Sequence, residues 1–240
     1  MKQWQKYLAE VFGTFTLVFI GAAAVVGAGP TWAPYGFGIG LLAALYAFGE
    51  ISGGHFNPAV SLGLFLDRRL NVTDLVSYWI SQFAGAILAC LALLLMTSSD
   101  DVAKAATVPT HTVRAAFFAE IFLTAIFVLV ILQVTKSGKY GSTTFVAIAL
   151  TLMAVHFAGV PYSGSGVNPA RSFATALVGT EWHKFWIYIL APPIGAILGW
   201  VIHAVVVSGK TDFRGDIEQM RKEVGGAMGG MGSGSSGPAG

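Results

Sequence analysis

The sequence predicts an all-α membrane protein with six transmembrane helices and two short re-entrant half-helices, arranged as an inverted 3+3 repeat. Three observations lead to this fold class. Hydrophobic residues make up 55% of the 240 positions, only 11% are charged, and the mean hydropathy is +0.68, which is typical of polytopic membrane proteins. Long apolar segments recur along the chain. The tripeptide Asn-Pro-Ala occurs twice between these segments.

Six apolar segments are long enough to cross a hydrocarbon core of about 30 Å. They cover about residues 7–27, 34–51, 75–96, 114–134, 142–159 and 185–207. The first has no cleavage site placed like that of a secretory signal, so we interpret it as a retained span. Cys90 is the single cysteine of the chain and excludes an intrachain disulfide.

The basic residues predict the orientation of the spans through the positive-inside bias. One side of a six-span arrangement carries Lys2, Lys6, Arg68, Arg69, Lys136, Lys139, Lys210, Arg214, Arg221 and Lys222. The other side carries Lys104, Arg114 and Lys184, and Arg171 lies at membrane depth. We therefore expect a multi-pass protein of the cell (plasma or inner) membrane with both termini in the cytoplasm. The formal net charge of +2 does not suggest a nucleic-acid partner.

Each triplet predicts the start of a helix, because Asn favours the N-cap and Pro favours the first helical position. The triplets are Asn57, Pro58 and Ala59, and Asn168, Pro169 and Ala170. The helices over 57–66 and 168–177 would each be about 15 Å long at 1.5 Å per residue. Neither spans a membrane alone, but two that meet tip to tip could do so.

The two halves of the chain are copies of one unit. Three pairs of landmarks keep nearly constant spacing: Glu10 and Glu120, Asn57 and Asn168, and Gly85-Ala86 and Gly195-Ala196. Repeat one covers about 5–97 and repeat two about 114–208, and each holds three spans, an odd number. The repeats must therefore be inverted, and the two half-helix N-termini meet near the membrane midplane. We interpret Gln82 with the paired glycines and alanines as packing positions of spans three and six.

We assign residues 1–208 to one channel domain and residues 209–240 to a cytoplasmic tail. Beyond Gly225 the tail is rich in glycine, serine and methionine, so we expect it to be largely disordered.

The irregular backbone before each triplet predicts a water-filled pore. Gly53-Gly54-His55-Phe56 and Gly164-Ser165-Gly166-Val167 would leave carbonyls unsatisfied in lipid. Each triplet Asn can cap its helix through the side-chain oxygen, so that its amide hydrogens face the lumen. Together with the two positive helix ends they would repel cations.

The paired motifs Ser52-Gly53-Gly54-His55-Phe56-Asn57-Pro58-Ala59-Val60 and Gly166-Val167-Asn168-Pro169-Ala170-Arg171-Ser172, in a duplicated six-span chain, resemble those of the major intrinsic proteins, or aquaporins. The resemblance covers roughly residues 5–208. It implies a passive channel, one pore per subunit of a homotetramer, with water as the permeant and the lipid bilayer as surroundings. No nucleophile–base pair, metal-ligand cluster or phosphate loop is found in the sequence, so we expect neither an enzyme nor a metal or cofactor.

The resemblance also implies a narrow selectivity filter near the second triplet. Its members would be Phe37, His156, Ser165 through its carbonyl, and Arg171. A bulky His156 and the Ser172 that follows Arg171 favour water, since the glycerol-conducting branch has a small residue and an Asp at these places. A facilitator of glycerol or another small neutral solute is the alternative within channels.

Glu10 and Glu120 are carboxylates inside the first span of each repeat, and such groups are costly unless paired. By resemblance they accept hydrogen bonds from the re-entrant loops and support them. Two alternatives of another class remain: an ion- or proton-coupled secondary transporter that uses these carboxylates, and a junction protein with a vestigial pore. Glu50, at the expected cytoplasmic mouth, is either a solvated acid or pairs with Arg68 or Arg69.

Overall fold

The structure, a computed structural model, describes residues 2–136, 138 and 140–232, so Lys139 and residues 233–240 lie outside the described residues. The described chain forms helices and no β-strand. The helices are α1 Gln3–Ala28, α2 Ala33–Ala44, α3 Glu50–Ser52, α4 Pro58–Leu66, α5 Val72–Leu94, α6 Ser99–Ala103, α7 Val113–Lys136, α8 Thr144–Ser163, α9 Pro169–Gly179, α10 Trp186–Ile202 and α11 Arg214–Gly232.

Six helical segments of the described chain are long and apolar enough to span a membrane. Four are α1, α5, α7 and α8. The second span, Pro30–Ser52, joins a 3₁₀ turn, α2, a π-helical stretch over Leu45–Gly49 and α3, and the sixth continues from α10 through a π-helical stretch over His203–Val207. The prediction of a six-span all-α fold is therefore confirmed, with ends that differ from those predicted by a few residues.

The two short helices begin where the triplets predict. Asn57 caps α4 and accepts a hydrogen bond from the Ala59 N–H at 2.9 Å, and Asn168 caps α9 through the Ala170 N–H at 3.1 Å. Pro occupies the first helical position of both. Each half-helix packs on the third span of the other repeat, α4 on α10 and α9 on α5. The repeats are thus interlocked.

Small residues bring the first and third spans of each repeat into close contact. A Cβ atom built at Gly85 would lie 2.2 Å from the carbonyl oxygen of Val11, and one at Gly195 would lie 2.4 Å from that of Ile121. The pairs α1–α5 and α7–α10 therefore approach at backbone distance, as small residues permit in membrane helices. These contacts make a stiff frame around the half-helices.

Helix α6 was not predicted, because its five residues are too few to show a hydrophobic period. Ser98 caps it: the Ser98 Oγ accepts a hydrogen bond from the Asp101 N–H at 3.2 Å. The Lys104 ammonium and the Ser98 hydroxyl hold the pKa of the Asp101 carboxyl below its ordinary value. Helix α6 packs against α9, beside the outer end of the second half-helix.

The tail differs from the expectation of disorder over 209–240, because α11 is helical to residue 232. Ion pairs of α11 lie both within the helix and between the helix and the rest of the chain. Lys222 and Glu218 pair one turn apart at 2.9 Å, a spacing that stabilises helices. Glu223 pairs with Arg68, in the loop after α4, at 2.5 Å.

Candidate functional site

Glu10 holds the first re-entrant loop. It is 0% exposed, and its Oε1 accepts from Ser52 Oγ at 2.6 Å and from the His55 N–H at 3.0 Å. Its Oε2 accepts from the Phe56 N–H at 2.7 Å. The carboxylate therefore satisfies the N–H groups that the irregular loop leaves free.

Glu120 does the same for the second loop, and it is also 0% exposed. Its Oε1 accepts from Ser163 Oγ and from the Gly166 N–H, both at 2.7 Å, and its Oε2 accepts from the Val167 N–H at 2.6 Å. Each donor stands at the repeat-equivalent place of a Glu10 donor. The supporting contacts expected of both carboxylates are thus present in the same geometry.

Two tyrosines that the sequence reasoning missed complete this support. The Tyr78 hydroxyl donates to the carbonyl oxygen of Ser52, and the Tyr188 hydroxyl donates to that of Ser163, both at 2.6 Å. Both rings are almost wholly buried. Their shared offset of 110 positions was the available signal, because it equals the offset between Glu10 and Glu120.

The two loops are cross-linked by the triplet asparagines. Asn57 Nδ2 donates to the carbonyl oxygen of Val167 at 2.8 Å, and Asn168 Nδ2 donates to that of Phe56 at 2.9 Å. Phe56 and Val167 have φ values of 49° and 44°, a left-handed conformation that is unfavourable for a β-branched residue. This conformation allows their carbonyls to reach the opposite half-helix. Because one amide hydrogen of each Asn is used in this way, one hydrogen of each remains for the lumen, whereas the sequence analysis expects both there.

A central cavity brings both asparagines together with most of the expected filter. It is lined by Leu17, Phe37, Leu41, His55, Asn57, Phe127, Leu152, His156, Gly166, Val167, Asn168 and Arg171. The apolar lining residues on the spans come from four different helices, α1, α2, α7 and α8. Apart from Phe37, sequence reasoning missed the apolar residues that these spans contribute, because nothing in the sequence distinguishes them from core positions.

Phe37, His156 and Arg171 form a compact cluster at one end of this cavity. The Phe37 and His156 rings stack with centroids 5.0 Å apart, and Arg171 Cζ lies 4.6 Å from the Phe37 centroid. His156 Nδ1 lies 3.0 Å from the carbonyl oxygen of Leu152. A carbonyl can only accept, so Nδ1 carries the hydrogen and Nε2 is an acceptor. His156 Nε2, Arg171 Nε and Arg171 Nη1 find no partner among the described residues.

Ser165 is separate from this cluster. It is 0% exposed and does not line the cavity, where Gly166 and Val167 take its place. Its side chain packs toward α8, because a Cβ atom built at Gly159 would lie 2.8 Å from Ser165 Oγ. Its contribution through the carbonyl oxygen stays a prediction.

A second cavity, the vestibule, leads from the basic end of the bundle to the central cavity. It is lined by Lys6, Ser52, Gly53, Gly54, His55, Val60, Leu64, Arg69, Leu70, Asp74, Tyr78, Ile131, Thr135 and Ile148. His55 lines both cavities and marks their junction. Arg69 pairs with Asp67 at 2.7 Å, and Arg68 pairs with Glu223. Glu50 is exposed, which favours the solvated acid over the alternative in which it pairs with either arginine.

No group of three or more His, Cys, Asp or Glu side chains in the described part of the chain is placed to hold a metal ion. The two cavities share His55, and the lining of the central cavity includes Phe37, His156 and Arg171 together with the triplet asparagines.

Comparison with known proteins places the chain in a family. Residues 1–203 match the family model described as "Major intrinsic protein". A relative from Lactiplantibacillus plantarum named "Glycerol uptake facilitator protein-like 6" is 40% identical over 81% of this chain and 94% of its own. A relative from Brucella melitensis named "Aquaporin Z" is 36% identical over 82% of this chain and 95% of its own. The solved aquaglyceroporin from Plasmodium falciparum has the same fold, with a TM-score of 0.76 at 20% identity, over 86% of this chain and 97% of that one.

Proposed function

Since this chain belongs to the major intrinsic protein family, whose members are membrane channels and not enzymes, we propose that it passes water in single file and excludes ions and protons. The observation that carries this proposal is the cluster of Phe37, His156 and Arg171, which combines a narrow opening with unpartnered polar atoms.

The polar atoms of the cluster suit water. A water molecule donates and accepts hydrogen bonds, and the cluster offers the acceptor His156 Nε2 beside the donors Arg171 Nε and Nη1. A permeant that leaves bulk water loses hydrogen bonds, and each one left unmade costs about 1–3 kcal/mol. The polar atoms of the cluster would replace them. The Phe37 ring, within about 5 Å of both side chains, leaves little room for the carbon chain of a polyol.

Ion exclusion follows from the pore centre. The N-termini of α4 and α9 meet there, and each carries a partial positive charge. The remaining amide hydrogen of Asn57 and that of Asn168 can both bond to one water oxygen. The hydrogens of that water then point toward its neighbours on either side, so a continuous proton relay is interrupted and cations are repelled.

Glycerol facilitation is the second candidate, because the relative that shares 40% identity is named a glycerol uptake facilitator-like protein. His156 and Ser172 argue against it, since both depart from the residues of the glycerol-conducting branch. The relative named Aquaporin Z supports water.

Stopped-flow light scattering on proteoliposomes tests the proposal. We expect rapid shrinkage against an impermeant osmolyte, relative to protein-free liposomes, with no added re-swelling in glycerol and no proton flux reported by an enclosed pH dye. Fast glycerol entry would instead support the second candidate. A proton flux would contradict the proposed mechanism. Water transport no faster than in protein-free liposomes would support the alternative of a junction protein with a vestigial pore.

We also propose where the channel lies and how it assembles. The ten basic residues predicted on one side of the membrane favour a cell membrane with both termini in the cytoplasm, and family resemblance supports a homotetramer with one pore per subunit. Single cysteines introduced at Gln3 and Trp182, labelled with an impermeant thiol reagent in intact cells, test the orientation. Native mass spectrometry in detergent tests the tetramer.

A further inference from the structure

The first half-helix carries a chain of buried hydrogen bonds that ends in the pore. Gln82 Nε2, on α5, donates to Glu10 Oε2 at 2.7 Å and to Ser61 Oγ at 2.9 Å. Ser61 Oγ in turn lies 3.0 Å from His55 Nδ1. Gln82 and Ser61 are both 0% exposed. Gln82 therefore makes specific polar contacts and is more than the packing residue that its sequence position predicts.

The second repeat has no such chain. Counted from the triplets and from the paired glycines, the equivalents of His55, Ser61 and Gln82 are Gly166, Ser172 and Pro192. The Ser172 hydroxyl is buried and has no partner among the described residues. This chain of hydrogen bonds is thus not needed to build a re-entrant loop, since the second loop forms without an equivalent of it.

The direction of each bond in the chain can be assigned. Glu10 accepts from two backbone N–H groups as well as from Gln82, so it acts as a carboxylate and must face the Gln82 amide nitrogen. Both amide hydrogens are then used, and Ser61 Oγ accepts one of them. No other acceptor for the Ser61 hydroxyl occurs among the described residues, so its hydrogen goes to His55 Nδ1. The imidazole hydrogen consequently lies on Nε2.

The position of His55 gives this assignment a consequence. The ring stands edge-on to Tyr78, with centroids 5.0 Å apart and planes at 78°, and it lines the junction between the vestibule and the central cavity. Since Nδ1 faces Ser61, Nε2 lies on the opposite side of the ring. His156, which also lines the central cavity, has the opposite tautomer, with Nε2 as an acceptor.

We propose that Gln82 and Ser61 are positioning residues that hold His55 in the Nε2–H tautomer, so that its ring donates a hydrogen bond to the permeant where the vestibule meets the central cavity. The identity of the permeant rests on the function proposed above. The tautomer does not, and the two can be tested separately.

Solid-state ¹⁵N NMR of histidine-labelled protein in proteoliposomes reads the tautomer directly, and the His55 signals are identified by their loss in His55→Gln. We expect protonated Nε2 and unprotonated Nδ1 in the wild type. In Ser61→Ala the Nδ1 donor is gone, so the signals should split or move to the other tautomer. Water permeability should fall roughly two- to fivefold, as the loss of one hydrogen bond allows.

Two further variants separate positioning from a general loss of structure. Gln82→Met, which frees the Ser61 hydroxyl to turn, should change the His55 signals in the same direction. Ser172→Ala, the repeat-equivalent of Ser61→Ala, should leave them unchanged. A protonated Nδ1 in the wild type, or unchanged signals in both Ser61→Ala and Gln82→Met, would overturn the inference. A wild type that conducts no water but shows the Nε2–H tautomer would contradict only the proposed function.

Discussion

Gly21 on α1 forms the wall behind the Phe37 ring, so Gly21→Ala should narrow the pore from behind. A Cβ atom there would lie 2.3 Å from Phe37 Cδ1 and 2.4 Å from Cε1. Carbon atoms in contact lie about 3.5–4.0 Å apart. The ring must therefore move by about 1 Å or more, away from α1 and toward the side occupied by His156 and Arg171.

The size of the effect follows from the energy of such overpacking, which is about 1–3 kcal/mol in a well-packed site. If half of this appears as a higher barrier for the permeant, that barrier rises by about 0.5–1.5 kcal/mol and the rate falls about two- to tenfold, since 1.4 kcal/mol corresponds to one power of ten. We therefore expect Gly21→Ala to lower water permeability per channel by about two- to tenfold. The double variant Gly21→Ala/Phe37→Leu, which also removes the aromatic ring, should recover much of the lost water permeability.

The assay is stopped-flow light scattering normalised to the amount of folded channel in the liposomes. Gly27→Ala is the matched control, because Gly27 lies on the same helix and a Cβ atom there would meet no atom within 4 Å. Both substitutions add one methyl group to α1, but only the one at Gly21 meets the Phe37 ring. Wild-type permeability in Gly21→Ala, with an intact fold, would refute the placement of Phe37 at the constriction.

Three further outcomes are expected. Glu120→Gln puts an amide donor against backbone N–H groups and should destabilise the channel by about 3 kcal/mol or more, seen as a lower thermal midpoint in detergent, whereas Glu50→Gln should match the wild type. His156→Ala should widen the filter and admit glycerol at least tenfold faster, and an unchanged glycerol rate would contradict its role. Lys104→Met should raise the pKa of Asp101, which an NMR titration of that carboxyl measures. Because Lys104 lowers this pKa, the ion pair stabilises the fold near neutral pH, and that stabilisation is lost as the pH falls through the acid range. An Asp101 titration in Lys104→Met that matches the wild type would argue against the ion pair.

The frame of the site was predictable from landmarks that occur twice, whereas Phe37, His156 and Arg171 were predicted through the resemblance to a family. The landmarks Glu10 and Glu120 and the two Asn-Pro-Ala triplets keep register across the halves, and the odd number of spans in each half makes the inversion necessary. The starts of the half-helices were predictable from local preferences, since Asn favours the N-cap and Pro favours the first helical position. Periodicity alone could not have shown where these short helices lie, because they are no more apolar than the core around them.

The parts that were missed depend on single contacts between distant segments. Gln82 looks like a packing residue until its amide is placed beside Glu10 and Ser61. The ion pair between Glu223 and Arg68 joins helix α11 to the loop after α4, and no local sequence pattern predicts that contact.

The geometry of the two buried carboxylates bears on the coupled-transporter alternative. Each carboxylate of Glu10 and Glu120 is occupied by donors of its own loop, and neither lines the central cavity or the vestibule. To load a proton or cation, a loop would have to release backbone N–H groups at membrane depth, where each unsatisfied group costs several kcal/mol. The symmetric residues therefore suit a rigid frame. On the function proposed above, the choice between water and glycerol would depend on residues that differ between the repeats, and Arg171, whose equivalent in the first motif is Val60, is the clearest of these.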